Sequence, residues 1–165
     1  MTSVYNAAAN FTNLYKLSDD VLSHVPRHVG AIPVRNAIQA FLITFTEDNY
    51  ARMVAGLTSA KNALAVDDND KLRMLISIDD GTVCYDSSRT NNNFASFTGN
   101  TINSANHNTR PEIMSAVLTK EGVGLSERFS RSVVTFQKYR AIRLGSATES
   151  NLGTFRVSMD TTIAV

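Results

Sequence analysis

A chain of 165 residues, 43% of them hydrophobic and 19% charged, has enough apolar side chains for one core, which speaks against disorder and for one domain. A formal net charge of +1 supplies no field to hold a polyanion, so nucleic acid is not expected as a partner. One cysteine and three histidines provide neither an internal disulfide nor a zinc-ligand cluster, and neither metal nor cofactor is expected.

Along residues 4–25, Val4, Ala8, Phe11, Tyr15, Leu22 and Val25 recur at helical steps. They predict an amphipathic helix, recapped at Ser18 ahead of Asp19 and Asp20. The same stretch lacks a basic leader and an uninterrupted apolar run, so no secretion signal is read. Pro26, Gly30 and Pro33 then interrupt helix formation, because proline has no amide donor and restrains the residue before it. A second periodic run through Val34, Ala37, Ile38, Phe41, Leu42 and Phe45 continues with Tyr50, Met53, Val54 and Leu57 and fades at Leu64, predicting one long helix or two short ones. Its most apolar part, residues 37–45, is broken by Gln39 and Thr44 and falls well short of the roughly 20 residues that cross a bilayer. No membrane insertion is expected.

After Asp67-Asp68-Asn69-Asp70 the period becomes two. Met74, Ile76 and Ile78 share one face, Arg73, Leu75 and Ser77 the other, and Asp79-Asp80-Gly81 has the chemistry of a turn before residues 82–86; a β-hairpin follows. Residues 87–108 read as a long polar loop, rich in Asn, Ser and Thr, of the kind that often carries function. Thr109-Arg110-Pro111-Glu112 matches a capping box, in which the hydroxyl and the carboxylate three residues later satisfy free amides at a helix start. A short helix to about Lys120 is predicted, with Ile113, Met114, Val117 and Leu118 buried and Gly122 and Gly124 ending it. Three strands, residues 125–135, 138–144 and 154–159, complete an α+β order with an antiparallel sheet.

Within residues 78–158 stand Asp79-Asp80-Gly81-Thr82-Val83-Cys84-Tyr85-Asp86-Ser87, then Asn106-His107-Asn108-Thr109-Arg110-Pro111-Glu112-Ile113, then the strand Glu127-Arg128-Phe129-Ser130, and last the strand at 139–144. In this order and spacing they resemble the PAS-like extracytoplasmic sensor domains, of the PDC or Cache type, of bacterial phosphate-response and related histidine kinases. The resemblance implies a five-stranded antiparallel PAS-like sheet with N-terminal helices packed against it. The length and the order of the elements give one domain over 1–165, with a helical part at 1–66 and the PAS-like sheet part at 72–160. Those sensors sit between two membrane helices and feed a transmitter; this sequence has neither, so signalling across a membrane is not expected. The asparagine-rich version of the motif, with Leu144-Gly145-Ser146 and Gly153-Thr154-Phe155-Arg156, is similar to stand-alone proteins encoded by large DNA viruses.

The candidate binding residues are His107, Arg110, Arg128, Ser130 and Asp86. His107, Arg110 and Glu112 lie at the start of the short helix, Arg128 and Ser130 on one strand face, and in the sensor family this region borders the ligand pocket. In the functional reading, Arg110 or Arg128 clamps a carboxylate or phosphate with help from the helix N-terminus. In the structural reading, Asp86 pairs with one of these arginines and His107 caps a turn, fixing the long loop to the sheet. Asp79, Asp80 and Asp86 lack the alternation of a calcium loop. Lys138, Arg140 and Arg143 around Tyr139 suggest a single-strand contact, or else a solvated edge or an interface with an acidic neighbour. Ser87 and Ser130 stand in no nucleophile motif, Cys84 falls mid-strand, and there is no Gly-rich phosphate loop, so no catalytic residue is assigned and no enzyme is expected.

The expectation is therefore a non-catalytic PAS-like interaction or structural module, a minor capsid protein or other virion component of a large DNA virus, with a virion or cytoplasmic location. Its partners would be capsid proteins or further copies of itself. The alternative is a ligand-sensing domain that binds a small anion or metabolite.

Overall fold

Strand β2 (Arg73–Ile78) is buried on both faces: Met74, Leu75 and Ile76 are all fully enclosed. One layer of structure must therefore cover each side of the sheet it belongs to. The computed structural model describes residues 3–5, 7–130, 135–160 and 162–164, with side chains of 12–129 and 135–160. In it β2 pairs with β3 (Val83–Asp86) and β6 (Gly153–Asp160), β6 with β5 (Thr135–Leu144), and β5 with β4 (Val123–Ser130). The result is a five-stranded antiparallel sheet in the order β3-β2-β6-β5-β4. A separate two-stranded ladder joins β1 (Ser3–Tyr5) to β7 (Thr162–Ala164). The α+β class and the five-stranded antiparallel sheet with helices against it are as the resemblance implied.

The apolar face of this sheet is its back. Register aligns Met74 with Val157 and Ile76 with Phe155, and Phe155 in turn with Ile142, so these side chains form one surface. Against it lie α1 (Ala7–Ser23), α2 (Val34–Ile43) and α3 (Glu47–Asn62) through Leu14, Leu17, Val21, Leu22, Ile38, Phe41, Leu42, Met53 and Leu57. The helical region and the sheet thus share one core. Tyr50 donates its hydroxyl to the carbonyl of Cys84 at 2.6 Å. Cys84 itself is buried and its thiol is pushed up by burial, the state of a packed thiol and not of a nucleophile.

Several local expectations change. α1 runs through Ser18, whose hydroxyl bonds the carbonyl of Leu14 at 2.7 Å instead of opening a new helix. Its buried stripe is Leu14, Leu17, Ser18, Val21 and Leu22, leaving Tyr15 and Val25 exposed; the side chains of Val4, Ala8 and Phe11 lie outside the described residues. Of the two forms expected for the second periodic run the chain takes two helices, because Thr46 stops the chain in an extended conformation and its hydroxyl accepts from the amide of Asn49. Asp67, Asp68 and Asp70 belong to a short helix, α4 (Val66–Lys71). The long loop contains another, α5 (Phe94–Thr98), capped by Asn93. It places Phe94 and Phe97 against Phe41 and Tyr50, so the loop is tied to the helical layer by an aromatic cluster.

On the front of the sheet, α6 (Pro111–Leu118) buries Ile113 and Ala116 against Ala141. Met114 and Leu118, expected inside, are exposed. Gly124 permits the close approach, since a Cβ there would overlap the backbone carbonyl of Glu112. The capping box is not formed: Arg110 occupies the cap position without a side-chain bond to the helix. Glu112 points away from the helix start and into the sheet.

Candidate functional site

The front face is polar where the back is apolar. Cross-strand pairing puts Ser158 between Arg73 and Tyr139, and Leu75 beside both Asp86 and Arg156. Ser126 opposes Tyr139, and Arg128 lies two residues further along the same face. The loop between β3 and α6 folds over these residues and leaves a cavity of about 450 Å³ lined by Arg73, Arg89, Asn103, His107, Arg110, Arg128, Tyr139 and Arg156, among others.

Asp86 anchors the β3 side. It is fully buried and accepts from Arg73 Nε and Nη2 at 3.1 and 2.7 Å, from the Ser88 amide and hydroxyl at 3.0 and 2.7 Å, and from Asn103 Nδ2 at 3.2 Å. Arg89 Nε stands 3.7 Å away. Burial opposes ionisation, but the bonds and charge of Arg73, with those of Ser88, outweigh it and hold the carboxyl well below the usual carboxylate range. The partner of Asp86 is therefore Arg73, and neither Arg110 nor Arg128 as the structural reading required.

Glu112 anchors the β4 side in the same way. Its Oε2 accepts from Ser126 Oγ and Arg128 Nη1, both at 2.6 Å, and its Oε1 from Arg128 Nη2 at 3.0 Å and Arg156 Nη1 at 3.2 Å. Burial raises its pKa, the bond from Arg128 and the neighbouring positive charges lower it further, and the carboxyl ends at about 2. The guanidiniums of Arg128 and Arg156 also stand 3.8 and 4.8 Å from the centre of the Tyr139 ring, so both are held in place on carboxylate and aromatic supports. Arg156 is 2% exposed; burial pulls its pKa down to about 10, and its Nε has no hydrogen-bond partner among the described residues.

His107 sits between these groups, 4% exposed. The hairpin turn places it: the His107 amide donates to Gly81 O at 3.0 Å, while Asn106 Nδ2 and Asn108 Nδ2 donate to the carbonyls of Asp80 and Asp79 at 2.8 and 3.3 Å. Gly81 has φ of 89°, and a Cβ there would overlap Asn106. The Nδ1 of His107 lies 2.8 Å from the carbonyl of Ala105, which matches the turn-capping role foreseen. Burial, reinforced by the charges of Arg156, Arg110 and Arg73, depresses its pKa to about 4, so the ring is neutral at physiological pH.

Of the candidates, His107, Arg110 and Arg128 line one cavity and Asp86 buttresses its wall. The side chain of Ser130 lies outside the described residues. Arg73, Arg89, Arg156 and Asn103 were missed. Strand alternation marks Arg73 and Arg156 as off the apolar face, yet their convergence depends on the register of β2 with β6. The basic strand around Tyr139 is no solvated edge: β5 lies inside the sheet. Lys138 is buried beside Glu127 at 3.2 Å, Arg140 is buried against Ser18 and Asp19, and Arg143 donates to the carbonyls of Val117 and Thr119 at the end of α6.

Among the described residues no group of three or more His, Cys, Asp or Glu side chains converges as a metal site, and no helix is long and apolar enough to cross a membrane. No family model matches the chain, and no curated protein matches it. A solved structure of a sensory box sensor histidine kinase from Vibrio cholerae is similar over 72% of this chain and 98% of its own, at 14% identity and a TM-score of 0.41.

Proposed function

We propose that this protein is a non-catalytic binding module whose front cavity takes a small oxyanion, a carboxylate or a phosphate. One observation carries the reading: five guanidiniums, of Arg73, Arg89, Arg110, Arg128 and Arg156, meet around one cavity, and the carboxylates bonded to them are two, Asp86 and Glu112. Arg110 forms no ion pair with the described residues. The excess positive charge is gathered in one recess, and planar guanidinium forks suit oxyanions. The carboxylates hold Arg73, Arg128 and Arg156 in place before any ligand arrives, which lowers the ordering cost of binding.

Thermal denaturation at constant ionic strength tests it. Millimolar phosphate, sulfate or acetate raises Tm where chloride does not, because a ligand that binds only the folded state stabilises it by mass action. Arg110→Ala, which breaks no internal ion pair, abolishes the shift and leaves the ligand-free Tm within about 2 °C. No shift with any of these anions overturns the reading.

A second reading keeps the protein as an interaction or structural component, in contact with capsid proteins or further copies of itself, and rests on the β4 edge. There β4 has a strand neighbour on one side, and the edge exposes Leu125, Phe129, which also borders the front cavity, and, across the ladder, Phe136, the two rings meeting edge to face at 5.5 Å. Exposed edges and apolar clusters of this kind are docking features. Sedimentation of Phe129→Ser beside the unmodified chain tests it: assembly that persists unchanged, or a monomer in both cases, counts against a contact at this edge.

A further inference from the structure

Resting on the reading of the cavity as an oxyanion site, we infer that its ligand carries a hydroxyl next to the carboxylate or phosphate, and that His107 recognises that hydroxyl by accepting its proton in a hydrogen bond. Guanidinium groups only donate, so the five arginines suit the anionic part of a ligand and offer no acceptor for a hydroxyl proton. His107 is different in kind. A carbonyl cannot donate, so the 2.8 Å contact between Nδ1 and Ala105 O requires the proton on Nδ1. In the neutral ring Nε2 is then an acceptor, and no described residue donates to it.

The surroundings keep it so. Arg73, Arg110 and Arg156 all oppose a second proton on the ring, and the clamp of Asn106 and Asn108 on the hairpin turn fixes where the imidazole stands. When a ligand fills the cavity and displaces water from it, the donor that completes Nε2 comes from the ligand. An ammonium would face the arginines, which disfavour it, whereas a neutral hydroxyl carries no such penalty. A volume of about 450 Å³ also has room for an organic anion of several carbons beyond the bare oxyanion.

Calorimetry on the full chain with matched pairs tests this: lactate against propionate, and 2-hydroxypropyl phosphate against propyl phosphate, at pH 7.5 and fixed ionic strength. The hydroxylated member of at least one pair binds about five- to tenfold more tightly, the worth of one hydrogen bond, and the pair that shows it tells carboxylate from phosphate. In His107→Phe the preference disappears while the unhydroxylated member binds as before. Nitrogen NMR of labelled histidine gives a readout free of substitution: the Nε2 resonance moves with the hydroxylated ligand and stays with its analogue. Equal affinity within both pairs overturns the inference and leaves the oxyanion site standing. A preference that survives His107→Phe, or an unmoved Nε2, also overturns it. Failure of all four probes together with phosphate, sulfate and acetate overturns both.

Discussion

Glu112 and Arg128, sixteen positions apart, form a two-pronged ion pair with contacts of 2.6 and 3.0 Å, and the same carboxylate holds Arg156 at 3.2 Å from behind. The first turn of α6 is thereby fastened to β4 and β6 at the floor of the cavity. Removing the carboxylate leaves Arg156 buried without a counter-charge, a situation that costs about 3–5 kcal/mol. Glu112→Ala should lose that much in urea denaturation, and substantially more than Met114→Ala on the exposed side of the same helix.

Acid should weaken the protein in two stages. His107 takes up its proton near 6.5 in the unfolded chain but only near 4 in the fold. Between those values the unfolded state binds more protons, so stability falls as pH is lowered through the window, by about 3 kcal/mol at its foot. Asp86 and Glu112, whose folded pKa values are depressed, contribute stability that is complete above the ordinary carboxylate range and is lost below it. Tm measured from pH 7.5 to 4 should therefore decline, and His107→Gln should flatten the part between pH 6.5 and 4.5.

Gly81 joins the hairpin turn to the cavity wall. An alanine there meets Asn106 and adopts a left-handed backbone, at a cost of about 1–3 kcal/mol. Hydrogen exchange should quicken through residues 102–108. Combined with Asn106→Ala, the substitution should cost less than the sum of the two, because the overlap is then relieved.

Ser77 and Thr154 share a buried hydrogen bond of 2.7 Å between directly opposed positions of β2 and β6. Ser77→Ala or Thr154→Val alone strands a buried hydroxyl and should cost about 1–3 kcal/mol. The double substitution should fall short of additivity by about 1 kcal/mol, measured as a double-mutant cycle in urea.

Local patterning by itself determined the class of this protein. The helical steps of Val34, Ala37, Ile38, Phe41 and Leu42 and the two-residue period of Met74, Ile76 and Ile78 are consequences of backbone geometry, and they specified helices first, then a hairpin, then strands. The turn at Asp79-Asp80-Gly81 was equally legible, because glycine's freedom at positive φ is a property of the residue. Which arginine meets which carboxylate was not. Arg73 and Arg156 become neighbours only when β2 and β6 pair in one register, and Glu112 reaches Arg128 only because Gly124 lets α6 settle on β4. A capping box and a sheet-facing carboxylate have the same local sequence, and the energy that chooses between them comes from two guanidiniums, the buried Arg156 and the partly exposed Arg128, supplied by distant strands. The tertiary structure alone decided that five arginines surround one cavity, since charge pairing acts through space and strand register is set by the burial of the opposite, apolar face.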